Sequence, residues 1–251
     1  MSTLLFVLLQ TLPAAAFDYA VRDVHDGGKI VGRVRFVGTI PELPPLFLLK
    51  DQEVCAAAAS PQMSLVSREN GGVKNTVIAL EGITRGKAPP AHKPILDNRE
   101  CVLTPRVLAV MAGGEIIIQN SDPFLHTMRG RLPDLKQAFN LVFPRRTPAK
   151  EQKIRTPGLI SVTCDTHPHM QAYILSFDHP YSAVTDAEGG FEITQVPPGT
   201  YTVKAWHEGW DILGYDTDGR PKYAEPHILT AQVTVTGGEV SHIEFHLPTR
   251  K

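Results

Sequence analysis

Long hydrophobic runs are missing from this 251-residue chain. The apolar stretch at its N-terminus is too short to span a bilayer as a helix. No segment carries the sustained 3.6-residue periodicity of a long amphipathic helix. Excess charge is missing too. A formal net charge of −1 argues against general nucleic-acid binding, which needs a basic surface. No paired carboxylates and no nucleophile–base–orienter set stand out. Asp178-His179 reads as a turn and His207-Glu208 as structural, so no enzyme is expected. Cysteine is scarce, with three residues, and in an exported protein an odd number leaves one thiol for a separate role. Cys55 and Cys101 are the disulfide candidates. The alternative is two buried thiols, because cysteines this far apart join only if the fold brings them together.

What the chain has in quantity is turn formers, 21 prolines and 20 glycines, set between short β-rich runs. With 42% hydrophobic and 20% charged residues, it is expected to be an all-β globular protein. Its length suits two ordinary domains or one large one. The run Leu4-Leu-Phe-Val-Leu-Leu9, followed by Ala14-Ala-Ala16, reads as a secretory signal over residues 1–16, although no Lys or Arg precedes it. The expected location is therefore periplasmic or otherwise exported, with no integral membrane segment after cleavage.

The densest chemistry lies in Gly158-Leu-Ile-Ser-Val-Thr-Cys164-Asp-Thr-His167-Pro-His-Met170. A thiolate, an imidazole and a thioether follow one another directly after a strand-like run. Soft sulfur donors with imidazole select copper, and a trigonal Cys and two His with a weak axial Met make the blue-copper site. The second histidine must come from elsewhere, and Asn120-Ser-Asp-Pro-Phe-Leu-His126 supplies one just past the strand-like Glu115-Ile-Ile-Ile-Gln119. Any one of these residues alone is most often a packing residue; the tight Cys-x-x-His-x-x-Met spacing sets them apart. Zinc is the weaker alternative, because Met is a poor ligand for it.

These residues resemble the cupredoxins, whose short His-Pro-x-Met loop is of the amicyanin type. The resemblance implies a Greek-key β-sandwich, His126, Cys164 and His167 as equatorial ligands, Met170 as the axial ligand, and one type 1 copper. It also implies that the edge of His167 reaches solvent as the electron's exit. Farther on, Thr185-Asp186-Ala-Glu-Gly189-Gly-Phe191 and Val196-Pro-Pro-Gly199-Thr-Tyr201 resemble the carboxypeptidase regulatory-like, transthyretin-like β-sandwich. With Gly28-x-Ile30-x-Gly32-x-Val34 and Asp178-His-Pro180-Tyr, the whole is similar to exported bacterial proteins labelled methylamine-utilisation or cupredoxin-like. In those relatives an aromatic is usual where His169 stands here; an imidazole there can tune the potential, meet a partner or compete for metal.

The expected layout is a cupredoxin-like region over 28–179 and a carboxypeptidase regulatory-like sandwich over 180–248. The first strand, 28–36, resembles the usual first strand of transthyretin-like modules and can belong to either; the cupredoxin-like part is then inserted in the second sandwich, or the two share sheets. Residues 107–110 and 115–119 flank Gly113-Gly114 and read as a hairpin. Residues 209–225 read as an exposed loop; Asp216, Asp218 and Gly219 fall short of a calcium loop because His227 stands where Glu would close it. Between Thr127 and Ile160, eight cationic side chains face two carboxylates. The rest of the chain carries the opposite surplus, an asymmetry able to steer an acidic redox partner such as a cytochrome or quinoprotein. Arg145, Arg146 and His169 are the docking candidates. Three functions fit: a type 1 copper electron carrier, a copper-handling protein, and a scaffold module of a cell-envelope complex.

Overall fold

The computed structural model describes residues 19–40, 43–59, 66–67, 69–145 and 147–248. The signal segment expected over 1–16, and Arg146, lie outside them. The described chain is all-β, and its strands build two sandwiches stacked as four sheet layers.

The first sandwich pairs a five-stranded with a four-stranded sheet. The larger runs in the order Gln137–Phe143, His126–Arg131, Gly158–Cys164, Gln171–Phe177, Val107–Met111. The smaller runs Lys150–Lys153, Glu115–Asn120, Ile95–Arg99, Val102–Thr104. Strand alternation sends one face of each inward, so that Ile116 and Ile118 meet Met128, Ile160, Val162 and Ile174 in one core. The second sandwich holds Ser182–Val184, Val77–Glu81, Gly199–His207 and His227–Val235 in one sheet, and Gly190–Val196, Gly28–Val37 and Val240–Pro248 in the other. Ile30, Val34, Ile78, Leu80, Phe191, Val203 and Phe245 fill its core.

A third core lies on the seam between the sandwiches. Ala172 and Ile174 point into the first core, while Tyr173 and Leu175 on the other face meet Val77, Val107 and Trp206. Strands buried on both faces read as continuous apolar runs rather than alternating ones, which accounts for Val77-Ile-Ala-Leu80. The seam also holds a buried ion pair. Arg106 Nε donates to Glu208 Oε1 at 2.9 Å, and Arg106 Nη1 to the Gln171 carbonyl at 2.7 Å.

Two sequence expectations change here. Strand Gly28–Val37 lies between Gly190–Val196 and the last strand, parallel to the latter, and Val77–Glu81 pairs with Gly199–His207. The first strand, left open between the two parts, thus joins the second sandwich, and Val77–Glu81, expected in the first part, does so as well. Strands from 95 to 177 form the first sandwich and fall in chain order between strands of the second, the inserted arrangement. The cause is non-local pairing, to which strand composition is blind. The Gly113-Gly114 turn does not close a hairpin either. Its flanking strands lie in opposite sheets, because Leu108 on one and Ile116 and Ile118 on the other must face each other across the core. Gly113 takes the positive φ of 86° that this sharp crossing requires.

Two segments cover one end of the first sandwich. Residues 43–59 form a strap with one helical turn, Gln52–Cys55, and a 3₁₀ turn, Ala56–Ala59. A Cys55–Cys101 disulfide fastens it. The segment 209–225, expected to be an exposed loop, instead forms a hairpin of Ile212–Tyr215 and Pro221–Tyr223. It meets the strap where the Leu49 side chain lies against Gly219, whose positive φ of 77° suits glycine. No helix among the described residues is long and apolar enough to cross a membrane.

Candidate metal centre

His126 opens the strand His126–Arg131, and the turn before it sets its direction. The Asn120 side chain accepts from the Asp122 N–H at 3.0 Å and donates to the Phe124 carbonyl at 2.8 Å, an Asx turn closed at both ends. This brings Asp122 Oδ2 to 2.9 Å from His126 Nε2. The Nε2–H then donates to the carboxylate, and Nδ1 is left facing inward.

Cys164 closes the neighbouring strand, Gly158–Cys164. Its N–H donates to the Met170 carbonyl at 3.2 Å, and the Met170 N–H to the His167 carbonyl at 2.9 Å, so residues 164–170 make a closed loop. His167 Nδ1 lies 3.8 Å from Cys164 Sγ, His126 Nδ1 lies 3.7 Å from it, and the two nitrogens are 3.2 Å apart. All three residues are 0% exposed. An ion about 2.0–2.1 Å from each nitrogen and about 2.3 Å from sulfur would, in a trigonal site, separate sulfur from nitrogen by about 3.8 Å and the nitrogens by about 3.5 Å. The triangle fits a bound metal ion almost without adjustment. Met170 is buried in the same core as Cys164.

The electrostatics agree with the geometry. Burial alone would push the Cys164 thiol up, but hydrogen bonding to His126 and His167 and the Thr127 and His167 N–H groups outweighs it, bringing the thiol down to about 5. Burial pulls the His167 imidazolium down, yet Cys164 and Asp51 win and hold it above its ordinary value. Three lone-pair donors converging in a dry pocket need a cation between them, a proton or a metal, and metal binding displaces the proton.

The outer shell holds what the sequence did not reveal. Asp51, on the strap, places Oδ2 2.8 Å from His167 Nε2, so both imidazoles are backed by carboxylates that fix tautomer and ring orientation. Phe124 packs on both rings, with centroids 5.1 and 5.5 Å away. Arg220, from the hairpin, donates to the Cys164 carbonyl at 3.3 Å and lies 3.5 Å from Asp165. Asp122 was not singled out from the sequence, although its place four residues before His126 is a local signal that could have found it. Asp51 carries no such signal, because nothing local ties it to residue 167.

Two expectations are corrected. The edge of His167 does not reach solvent, because the strap covers it with Asp51. His169 is buried as well, its Nε2 donating to the Cys101 carbonyl at 3.0 Å, and burial pulls its imidazolium down to about 4. It is therefore no docking residue. Arg145 sits exposed in the turn after Gln137–Phe143. Cys55 and Cys101 are joined, leaving Cys164 as the free thiol.

A family model described as polysaccharide lyase family 4, domain II, matches residues 155–241, which span the metal loop and much of the second sandwich. No curated protein sequence matches the chain. Among solved structures, a Cu-containing nitrite reductase from Thermus scotoductus is 19% identical over 37% of this chain and 24% of its own, with a TM-score of 0.30; this chain spans about a quarter of that enzyme. A purple cupredoxin from Nitrosopumilus maritimus is 16% identical over 34% of this chain and 100% of its own, TM-score 0.30. Amicyanin from Paracoccus versutus is 13% identical over 40% of this chain and 97% of its own, TM-score 0.31.

Proposed function

We propose that this chain is an exported type 1 copper protein that passes single electrons between redox partners. The observation that carries the reading is the buried triangle of Cys164 Sγ and the two imidazole Nδ1 atoms, sized for a metal ion. A thiolate with two imidazoles and a thioether at the same loop end is a copper donor set. Copper would supply a one-electron couple. The protein's part would be to change little between the two states, which is served by holding His126 and Cys164 at strand ends and His167 and Met170 in the closed loop 164–170. His126 and Cys164 lie on adjacent strands, with the Thr127 N–H donating to Cys164 Sγ at 3.5 Å. Asp122 and Asp51 hold the imidazoles from outside, while Phe124 and the strap exclude water. The surplus of cations between residues 127 and 160, including exposed Arg145, would draw an acidic partner to this sandwich. The periplasm is the expected compartment, and the buried disulfide suits an oxidising one.

One observation favours a second reading. With both histidines buried, a bound metal would lack the exposed ligand edge that fast electron exchange uses, which suits a protein that holds or hands on copper. Electron self-exchange of the copper-loaded protein, followed by NMR line broadening against mixing ratio, separates the two. Rapid exchange supports the carrier. Retained copper with no exchange on that timescale would reject the carrier and leave copper handling.

A further inference from the structure

The peptide of Cys101 touches the support of both histidine ligands. On its N-terminal side, the Glu100 and Cys101 N–H groups donate to Asp122 Oδ1 and Oδ2 at 2.7 and 3.1 Å, and Asp122 is the carboxylate that holds His126. On its C-terminal side, the Cys101 carbonyl accepts from His169, two residues beyond His167 in the metal loop. Its sulfur is bonded to Cys55. Cys55 lies one helical turn past Asp51 and donates its N–H to the Asp51 carbonyl at 2.9 Å, and the Asp51 side chain holds His167. Glu100 and Cys101 both take left-handed conformations, with φ of 54° and 59°, which non-glycine residues keep only where the surroundings hold them. The strap that carries Asp51 has its covalent attachment to the first sandwich at this one bond.

We propose that the Cys55–Cys101 disulfide is a positioning element of the metal centre, so that the thiol–disulfide state of this pair and the affinity for copper are coupled. The inference rests on the reading of His126, Cys164 and His167 as a copper site. Its logic is mechanical. Both cysteines are buried, so a reductant reaches the bond only when the strap lifts, and lifting it pulls Asp51 from His167. A metal ion that fixes His167 opposes that motion. Linkage makes the effect reciprocal: if the closed disulfide favours metal, bound metal favours the closed disulfide.

The test compares metal-free and Cu(I)-loaded protein, without oxygen, under a water-soluble phosphine. The phosphine becomes its oxide with oxygen from one water, while the disulfide takes two electrons and two protons to give two thiols. Alkylation and peptide mass spectrometry then count free Cys55 and Cys101. Cu(I) should slow reduction about ten-fold, and the double variant Cys55→Ser/Cys101→Ser should bind copper about ten-fold or more weakly, the scale typical of outer-shell losses. Its Cu(II) EPR hyperfine pattern should also change, which a remote staple would not cause. Should that variant fail to fold, Asp51→Ala decides. With Cu(I) raised to saturate its weakened site and its copper content measured alongside, protection of the disulfide should shrink several-fold. Equal reduction rates with and without Cu(I), or full protection in Asp51→Ala, would overturn the coupling while leaving the copper reading intact. A wild-type protein that takes up no copper would overturn the site reading itself.

Discussion

Replacing Asp51 by Asn removes one negative charge behind His167 while keeping an acceptor of nearly the same shape for Nε2–H. The consequence is worked from distances. A metal ion about 2.0–2.1 Å beyond Nδ1 would lie on the order of 6–7 Å from Asp51 Oδ2, which is itself 2.8 Å from Nε2. Two unit charges at that range interact by about 2–3 kcal/mol at an effective dielectric of ~20 and about 0.6 kcal/mol in water. The Asp51 side chain is 43% exposed, so solvent screening leaves about 1 kcal/mol. The carboxylate stabilises the more positive oxidised metal, so its removal favours reduction. For a one-electron couple, where a tenfold change is 59 mV, the potential should rise by about 40 mV. A mediated redox titration at fixed ionic strength measures it, with thermal unfolding alongside to show that the fold is kept. An unchanged or lowered potential would refute the role assigned to Asp51.

Met170→Leu preserves volume, so copper should stay bound while the potential rises through loss of the weak axial donor; loss of copper, or no change in potential, speaks against Met170 as a ligand. Arg106→Met strands Glu208 in the seam, and should cost about 3–5 kcal/mol in urea unfolding, most of it recovered in Arg106→Met/Glu208→Leu. A loss below about 1 kcal/mol would mean that the ion pair does not hold the seam. Truncating Arg145 and Arg146 to Ala should slow oxidation of the reduced copper protein by ferricyanide, an anionic oxidant, at low salt and not at high salt. A rate insensitive to both changes removes steering.

The inner shell was legible in the sequence because it is local. Cys164, His167 and Met170 share one loop, and His126 follows an Asx-Pro turn whose chemistry stands in the string Asn120-Ser-Asp-Pro. The all-β class was legible from turn residues and short apolar runs. The remainder depends on distant segments meeting. Nothing around Asp51 marks it as a partner of His167; the link is made by a disulfide 46 residues long in sequence separation. Resemblance led to an exposed His167, and the strap, an element outside the shared motif, reversed that. The hairpin expected at Gly113-Gly114 failed for a related reason: a glycine pair marks a turn, while the choice between edge pairing and crossing to the opposite sheet is made by the core on the far side. The same holds for Val77–Glu81, whose apolar run signals burial on both faces but not which sheet provides it.

The most direct test is the visible and EPR spectrum of the purified, copper-loaded protein, set beside Cys164→Ser. An intense band near roughly 600 nm with narrow copper hyperfine splitting, both lost in the variant, is the predicted result for thiolate–copper ligation of the blue type. A wild-type spectrum without that band, or one that the Cys164→Ser change leaves intact, would contradict it.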